Sequence, residues 1–259
     1  KNKLDFKSID YFLFPRNEYK HDEFINNCLS HFIDTSYIKD KIKFYDHHDA
    51  HCALAYYTSG FIDDKCLVIS MDGSGDDYSA KYYLGESNSL KYIDGITTDC
   101  VSLGMFYCLL TEFLGFKRLK DEGKIVGMSS HGYFDKYIYK IFNDVIGDIE
   151  GIKTKKMPYG KNFEYIFKEF YKNFFELTGD VYFKNKKNIS NYAYTGQYIF
   201  EEKIIEIVNN LHKLYPDYKK LCLSGGVFAN VKLNKKINEI EWVDEVYITP
   251  PMGDEGIPL

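Results

Sequence analysis

An α/β fold is the class this 259-residue sequence predicts, and three observations carry that reading. The continuous apolar run at 66–71 has the character of a central strand, and 221–223 and "EVYIT" at 245–249 read as further strands. Stretches at 102–115 and 197–211 carry apolar residues at helical spacing. Two glycine turns, Asp72-Gly73-Ser74-Gly75-Asp76 and Ser224-Gly225-Gly226, each follow one of the strands. A chain of this length with 45% hydrophobic content can bury a sizeable core, as one large domain or as two lobes sharing a sheet.

Taken in order, "IDYFLF" at 9–14 suits a buried strand, and 22–33 places Phe24, Ile25, Cys28, Leu29 and Phe32 near helical spacing. "KIKFYDHH" reads as a strand leading into a cluster that holds three of the chain's seven histidines, His47, His48 and His51. The small and apolar residues from Cys52 to Tyr56 continue it as a buried helix. On a helix, positions four apart share a face, so His47 and His51 can point at one atom while His48 points elsewhere.

The run at 66–71 is a central strand, followed by return strands near 78–84 and 90–96. The turn between the first two can offer backbone N–H groups to a phosphate, although by its residues alone a plain hairpin is the simpler reading. Ser102 is placed to cap the helix at 102–115, and Gly115 to stop it. The stretch 116–132 is rich in charge and glycine and reads as a loop, in which Lys124 is either a solvated side chain or an anion ligand. Residues 151–196 read as a helical insertion or lid. A long amphipathic helix from Gln197 stops before Pro216. The strand at 221–223, the Gly225-Gly226 turn and a helix opening near Phe228 form a ready anion or nucleotide site. The strand at 245–249 leads into a loop where Asp254 stands at a strand's carboxyl end, a place where ligands of open α/β sheets gather.

Composition narrows the function classes. With 33 Lys and Arg against 38 Asp and Glu, the net charge is −5, and no global basic footprint points to nucleic acid. Six cysteines without CxxC spacing fit reduced thiols, with neither a disulfide framework nor a zinc knuckle. No apolar run reaches membrane-spanning length and the first residues lack a signal-peptide core, so a cytoplasmic location is expected.

The ordered set HxxxHxA, strand-DGxGD, SLGxxYxxxTxxLGF, GKxxGM, LCLSGGVxxN and PxxGDxG, across residues 47–256, resembles the amino-terminal catalytic domain of the NodU/CmcH-type O-carbamoyltransferases. The resemblance implies a Kae1-like member of the actin-like ATPase superfamily, a duplicated ribonuclease-H-like fold. Its first lobe would run to about residue 115 and its second from about 116 to 259, with the insertion near 151–196. The family pattern further implies a chain incomplete at both ends and without its YrdC-like domain. It implies metal ligands at His47, His51 and Asp254, a mixed nitrogen and oxygen set that suits iron as well as zinc or manganese. It also implies nucleotide contacts from Ser70, Asp72, Gly73 and Gly75, from Gly123 and Lys124, and from Gly225, Gly226 and Asn230.

In that family a YrdC-like domain, in cis or in trans, makes carbamoyl-adenylate from carbamoyl phosphate and ATP. The domain seen here then passes the carbamoyl group to a hydroxyl of a small molecule or sugar. No residue is assigned as the catalytic base. Two other functions are compatible with the same residues: threonylcarbamoyl transfer to tRNA, and a non-catalytic nucleotide- or metal-binding subunit.

Overall fold

The computed structural model of the protein describes residues 8–15, 27, 29–31, 39–157 and 189–257. Most of the stretch of helical spacing at 22–33 and most of the insertion expected at 151–196 fall outside these residues.

Strands β1 (Phe12–Phe14) and β2 (Ile42–Phe44) pair in parallel as a small separate sheet. They deliver the chain to Asp46, whose extended backbone and carboxylate, accepting from the His48 and Asp49 N–H groups, start helix α1 (His47–Thr58). The main sheet comprises β3 (Cys66–Gly75), β4 (Tyr78–Glu86), β5 (Ser89–Thr97), β6 (Lys220–Ser224) and β7 (Glu245–Ile248), in the order β5-β4-β3-β6-β7. The first three form an antiparallel meander, whereas β6 and β7 add to β3 in parallel. Strands from both sides of residue 115 therefore share one sheet.

Central β3 explains its own sequence. Because side chains alternate, Leu67, Ile69 and Met71 enter the larger core, while Cys66, Val68 and Ser70 turn to the face covered by α1. The larger core is closed by α2 (Leu103–Phe113), α4 (Lys136–Ile146) and α5 (Ile189–Leu214), which contribute Phe106, Phe142, Phe200 and Ile207. Each such side chain fully withdrawn from water adds about 1.5–3 kcal/mol. Ser102 caps α2 as its position predicts, accepting from the Met105 N–H, and Gly115 follows the helix at φ +85°.

Two expectations need correction. Residues 122–128 are not loop but a short helix, α3 (Glu122–Met128), anchored by the fully buried Ile125. Its two glycines hide it from propensity, and packing overrides them. Helix α5 begins at Ile189, eight residues before the expected Gln197. Its first turns contain Asn191, Thr195 and Gly196, poor helix formers, but Asn191 and Thr195 accept the Tyr133 and Asp135 N–H groups, and Tyr192 and Ala193 are buried. Among the described residues no helix is long and apolar enough to cross a membrane.

Candidate metal centre

The carboxyl end of β6 lies beside the middle of β3, with Ser70 directly opposite Ser224 in the register. Helix α1 lays its first turn and a half across them. His48 and His51, three residues apart, each meet one of these serines: His48 Nδ1 lies 2.8 Å from Ser70 Oγ and His51 Nδ1 lies 3.1 Å from Ser224 Oγ. His48 Nε2 is also engaged, 3.0 Å from the Tyr78 carbonyl. Since a carbonyl only accepts, that nitrogen carries the proton and Nδ1 takes the Ser70 hydroxyl. Burial, helped by the neighbouring His47, pulls the His48 pKa down to about 4, so this ring is a neutral anchor with both nitrogens in use.

His47 and His51 share the other stripe of the helix. Their Nε2 atoms face Asp72, at the end of the apolar part of β3, and Asp254, in the loop after β7. His47 Nε2 is 3.5 Å from Asp254 Oδ1 and 3.8 Å from Asp72 Oδ2. His51 Nε2 is 3.5 Å from Asp72 Oδ2 and 3.7 Å from Asp254 Oδ1. These separations exceed hydrogen-bond length. Both Nε2 atoms, and His47 Nδ1, are buried without a hydrogen-bond partner.

Four donors from two rings and two carboxylates thus lie within 4.8 Å of one another. Ligands held about 2.1 Å from one ion stand about 3–3.5 Å apart, so the set fits a divalent cation that accepts mixed nitrogen and oxygen ligands. The asymmetry of exposure gives the site a direction: the side chains of His47 and His51 are essentially closed to solvent, Asp72 is 21% exposed and Asp254 is 59% exposed. Asp254 therefore marks the solvent-facing side of the cluster.

Electrostatics follow the same arrangement. Burial opposes charge on Asp72, but His47, His51 and the Gly73 N–H outweigh it and hold the carboxyl far below the usual range. His51 holds Asp254 below the usual carboxylate value. Burial lowers the His51 pKa, yet Asp254 and Asp72 more than offset it and leave it raised.

Two glycines are needed for this geometry. A Cβ at Gly75 would lie 2.0 Å from a carbon of the His47 ring. Gly225 has φ +94°, and a Cβ there would meet the Met71 carbonyl at 2.2 Å. The two glycine loops are joined through Asp72, whose Oδ1 accepts from the Gly73 N–H at 2.7 Å and whose Oδ2 accepts from the Gly226 N–H at 3.2 Å.

The remaining sequence-selected residues are placed as follows. Ser70 is fully buried beneath α1. Asn230 caps α6 (Val231–Asn238) through the Leu233 N–H and exchanges two amide hydrogen bonds of 2.9 Å with Gln197. Gly123 and Lys124 lie on α3, where the Lys124 ammonium pairs with Asp121 at 2.9 Å. Sequence reasoning gave Asp72 to the phosphate loop and did not place it beside His47, His51 and Asp254, where the structure puts it. Its signal was available: the carboxylate ends an apolar strand, as Asp254 follows one. The same reasoning missed Ser224 as the partner of His51, and missed a cleft of about 270 Å³ between α5 and α6, lined by Tyr198, Glu201, Lys232 and Lys236.

Residues 7–258 match the Carbamoyltransferase N-terminus family, and the chain belongs to that family. It is 29% identical over 257 residues to the uncharacterized protein MJ1058 of Methanocaldococcus jannaschii, covering 95% of this chain and 40% of that one. To the nodulation protein NolNO of Sinorhizobium fredii it is 23% identical over 254 residues, covering 91% of this chain and 33% of that one. The crystal structure of T. kodakarensis HypF superposes with a TM-score of 0.48 at 15% identity, over 98% of this chain and 40% of that one. The chain therefore spans 40% or less of the length of these relatives.

Proposed function

We propose that this chain is the domain of an O-carbamoyltransferase that moves a carbamoyl group from carbamoyl-adenylate to a hydroxyl of a small molecule or sugar. The proposed ligands of a divalent metal, with iron favoured and zinc or manganese suited, are His47, His51, Asp72 and Asp254. The observation that carries the reading is the convergence of two unpartnered, buried imidazole nitrogens on two carboxylates, in a chain of the carbamoyltransferase family.

In this mechanism the acceptor hydroxyl oxygen attacks the carbamoyl carbon and releases its proton to solvent, the bond from that carbon to the phosphate oxygen breaks, and AMP leaves with the bonding electron pair on its phosphate oxygen. The metal supplies Lewis acidity toward phosphate or carbonyl oxygens. The protein's part is positional. Asp72 ties both glycine loops to the site by accepting from the Gly73 and Gly226 N–H groups. The buried rings of His47 and His51 close the inner wall and keep water from that side, while the exposed Asp254 leaves the outer side for substrate. The YrdC-like partner, in cis or in trans, would supply the adenylate.

The test is transfer assayed with the full-length enzyme, or with this chain plus a YrdC-like protein, on carbamoyl phosphate, ATP and a panel of hydroxyl acceptors. The reading expects acceptor-dependent AMP release that is abolished by His51→Ala and by Asp254→Ala. AMP release untouched by both substitutions would overturn it.

A further inference from the structure

Lys81 stands on β4 directly opposite Ser70 of β3, so both side chains rise on the α1 side of the sheet. It is only 8% exposed, and a buried ammonium costs several kcal/mol unless it is paired. Its partners both belong to the start of α1: Nζ lies 2.9 Å from Asp46 Oδ1 and 2.7 Å from Asp49 Oδ1, and 4.6 Å from the Tyr78 ring centroid. Tyr83, two residues along β4, donates its hydroxyl to the same Asp49 oxygen. The sheet and the turn after β3 thus grip the start of α1 at four places: at Asp46, at His48, at Asp49, and at the His47 N–H, which donates to Asp76 Oδ2 at 2.8 Å.

We infer that Lys81 is a positioning residue for the metal centre: its ion pairs to Asp46 and Asp49 fix the rotation and register of α1 so that His47 and His51 face Asp72 and Asp254. This inference rests on the metal reading proposed above. Its logic is geometric. A one-residue slip turns a helix by about 100° and advances it about 1.5 Å, which is enough to carry His47 out of the cluster. Capping does not supply this constraint, because Asp46 caps α1 through the His48 and Asp49 N–H groups, which form whatever the helix's rotation on the sheet. Lys81 is the cation that ties those carboxylates to β4.

The experiment measures zinc affinity, by competition with a chromophoric chelator, and thermal stability of the metal-free protein, for the wild type, Lys81→Met, Lys81→Arg and Asp49→Asn. The half-exposed Asp49 makes its substitution a second route if Lys81→Met fails to fold. Supporting partners of ligands govern affinity by on the order of 10- to 100-fold, so Lys81→Met is expected to weaken zinc by that factor, with partial rescue in Lys81→Arg and a smaller loss in Asp49→Asn. Phe200→Ala, a core substitution on the opposite face, is the control: it lowers stability and leaves zinc affinity unchanged. Wild-type zinc affinity in Lys81→Met and Asp49→Asn would overturn the role of Lys81 and leave the metal reading standing. A wild type that binds none of iron, zinc and manganese would overturn both.

Discussion

On the face of the sheet that meets α2, α4 and α5, β3 presents Leu67, Ile69 and Met71 to a core of Phe106, Phe142 and Phe200. On the other face the same strand presents Cys66 and Val68 to a smaller apolar cluster with Tyr56 and Phe61, and towards the start of α1 Ser70, Lys81 of β4 and Ser224 of β6 are each engaged by a polar group of that helix or its cap. Alternation along a strand, a matter of backbone geometry, thus separates a wholly apolar face from one that combines a small apolar cluster with the polar candidate site. The two faces should answer perturbation differently: the apolar face in stability, the polar face in metal affinity and in pH.

The largest effect belongs to the apolar face. Phe200→Ala removes a ring that is 1% exposed and is expected to cost about 3–5 kcal/mol in chemical denaturation, with metal content per folded chain unchanged. Coupled loss of metal in the folded fraction would break the separation.

Acid comes next and acts on the polar face. The His48 pKa falls from 6.5 to about 4 on folding, so the unfolded chain takes up the proton first as pH drops. The stability that comes from keeping this ring neutral is full above about pH 6.5 and is lost as pH falls towards 4, by about 1.4 kcal/mol per unit and about 3 kcal/mol in all. Urea titrations of metal-free protein across that window, beside His48→Gln, should show a steeper pH slope in the wild type. Equal slopes would remove His48 as the cause.

Ser224→Ala takes away only the hydroxyl beside His51 Nδ1 and should weaken metal binding about 10-fold, with little change in the midpoint of thermal unfolding. Smallest of all is Lys124→Ala. The ammonium is 60% exposed and pairs at the surface with Asp121, so stability should change by less than about 0.5 kcal/mol and metal affinity not at all.

Much of this arrangement was legible in the residues. The apolar stretches marked β3 and β6, "EVYIT" marked β7, the i, i+4 spacing placed His47 and His51 on one stripe, and Ser102 and Gly115 marked the ends of α2. What stayed hidden depends on contacts distant in sequence. Helix α3 and the first turns of α5 are held by packing and by side-chain acceptors against local propensity, so no window of sequence reveals them. Asp72 reads as a turn residue until β3 and β6 are seen side by side, which brings its carboxylate to both histidines. The role of Lys81 depends on knowing which face of β4 meets α1, and the largely buried β4 run does not disclose that.

The central claim is that His47, His51, Asp72 and Asp254 hold one divalent ion. The most direct measurement is metal content and affinity of the purified chain offered iron, zinc or manganese, for the wild type beside His51→Ala and Asp254→Ala, with folding checked in each. The account predicts close to one ion per wild-type chain and its loss from both folded variants. A folded wild-type chain that takes up no ion, or variants that bind as well as the wild type does, would contradict it.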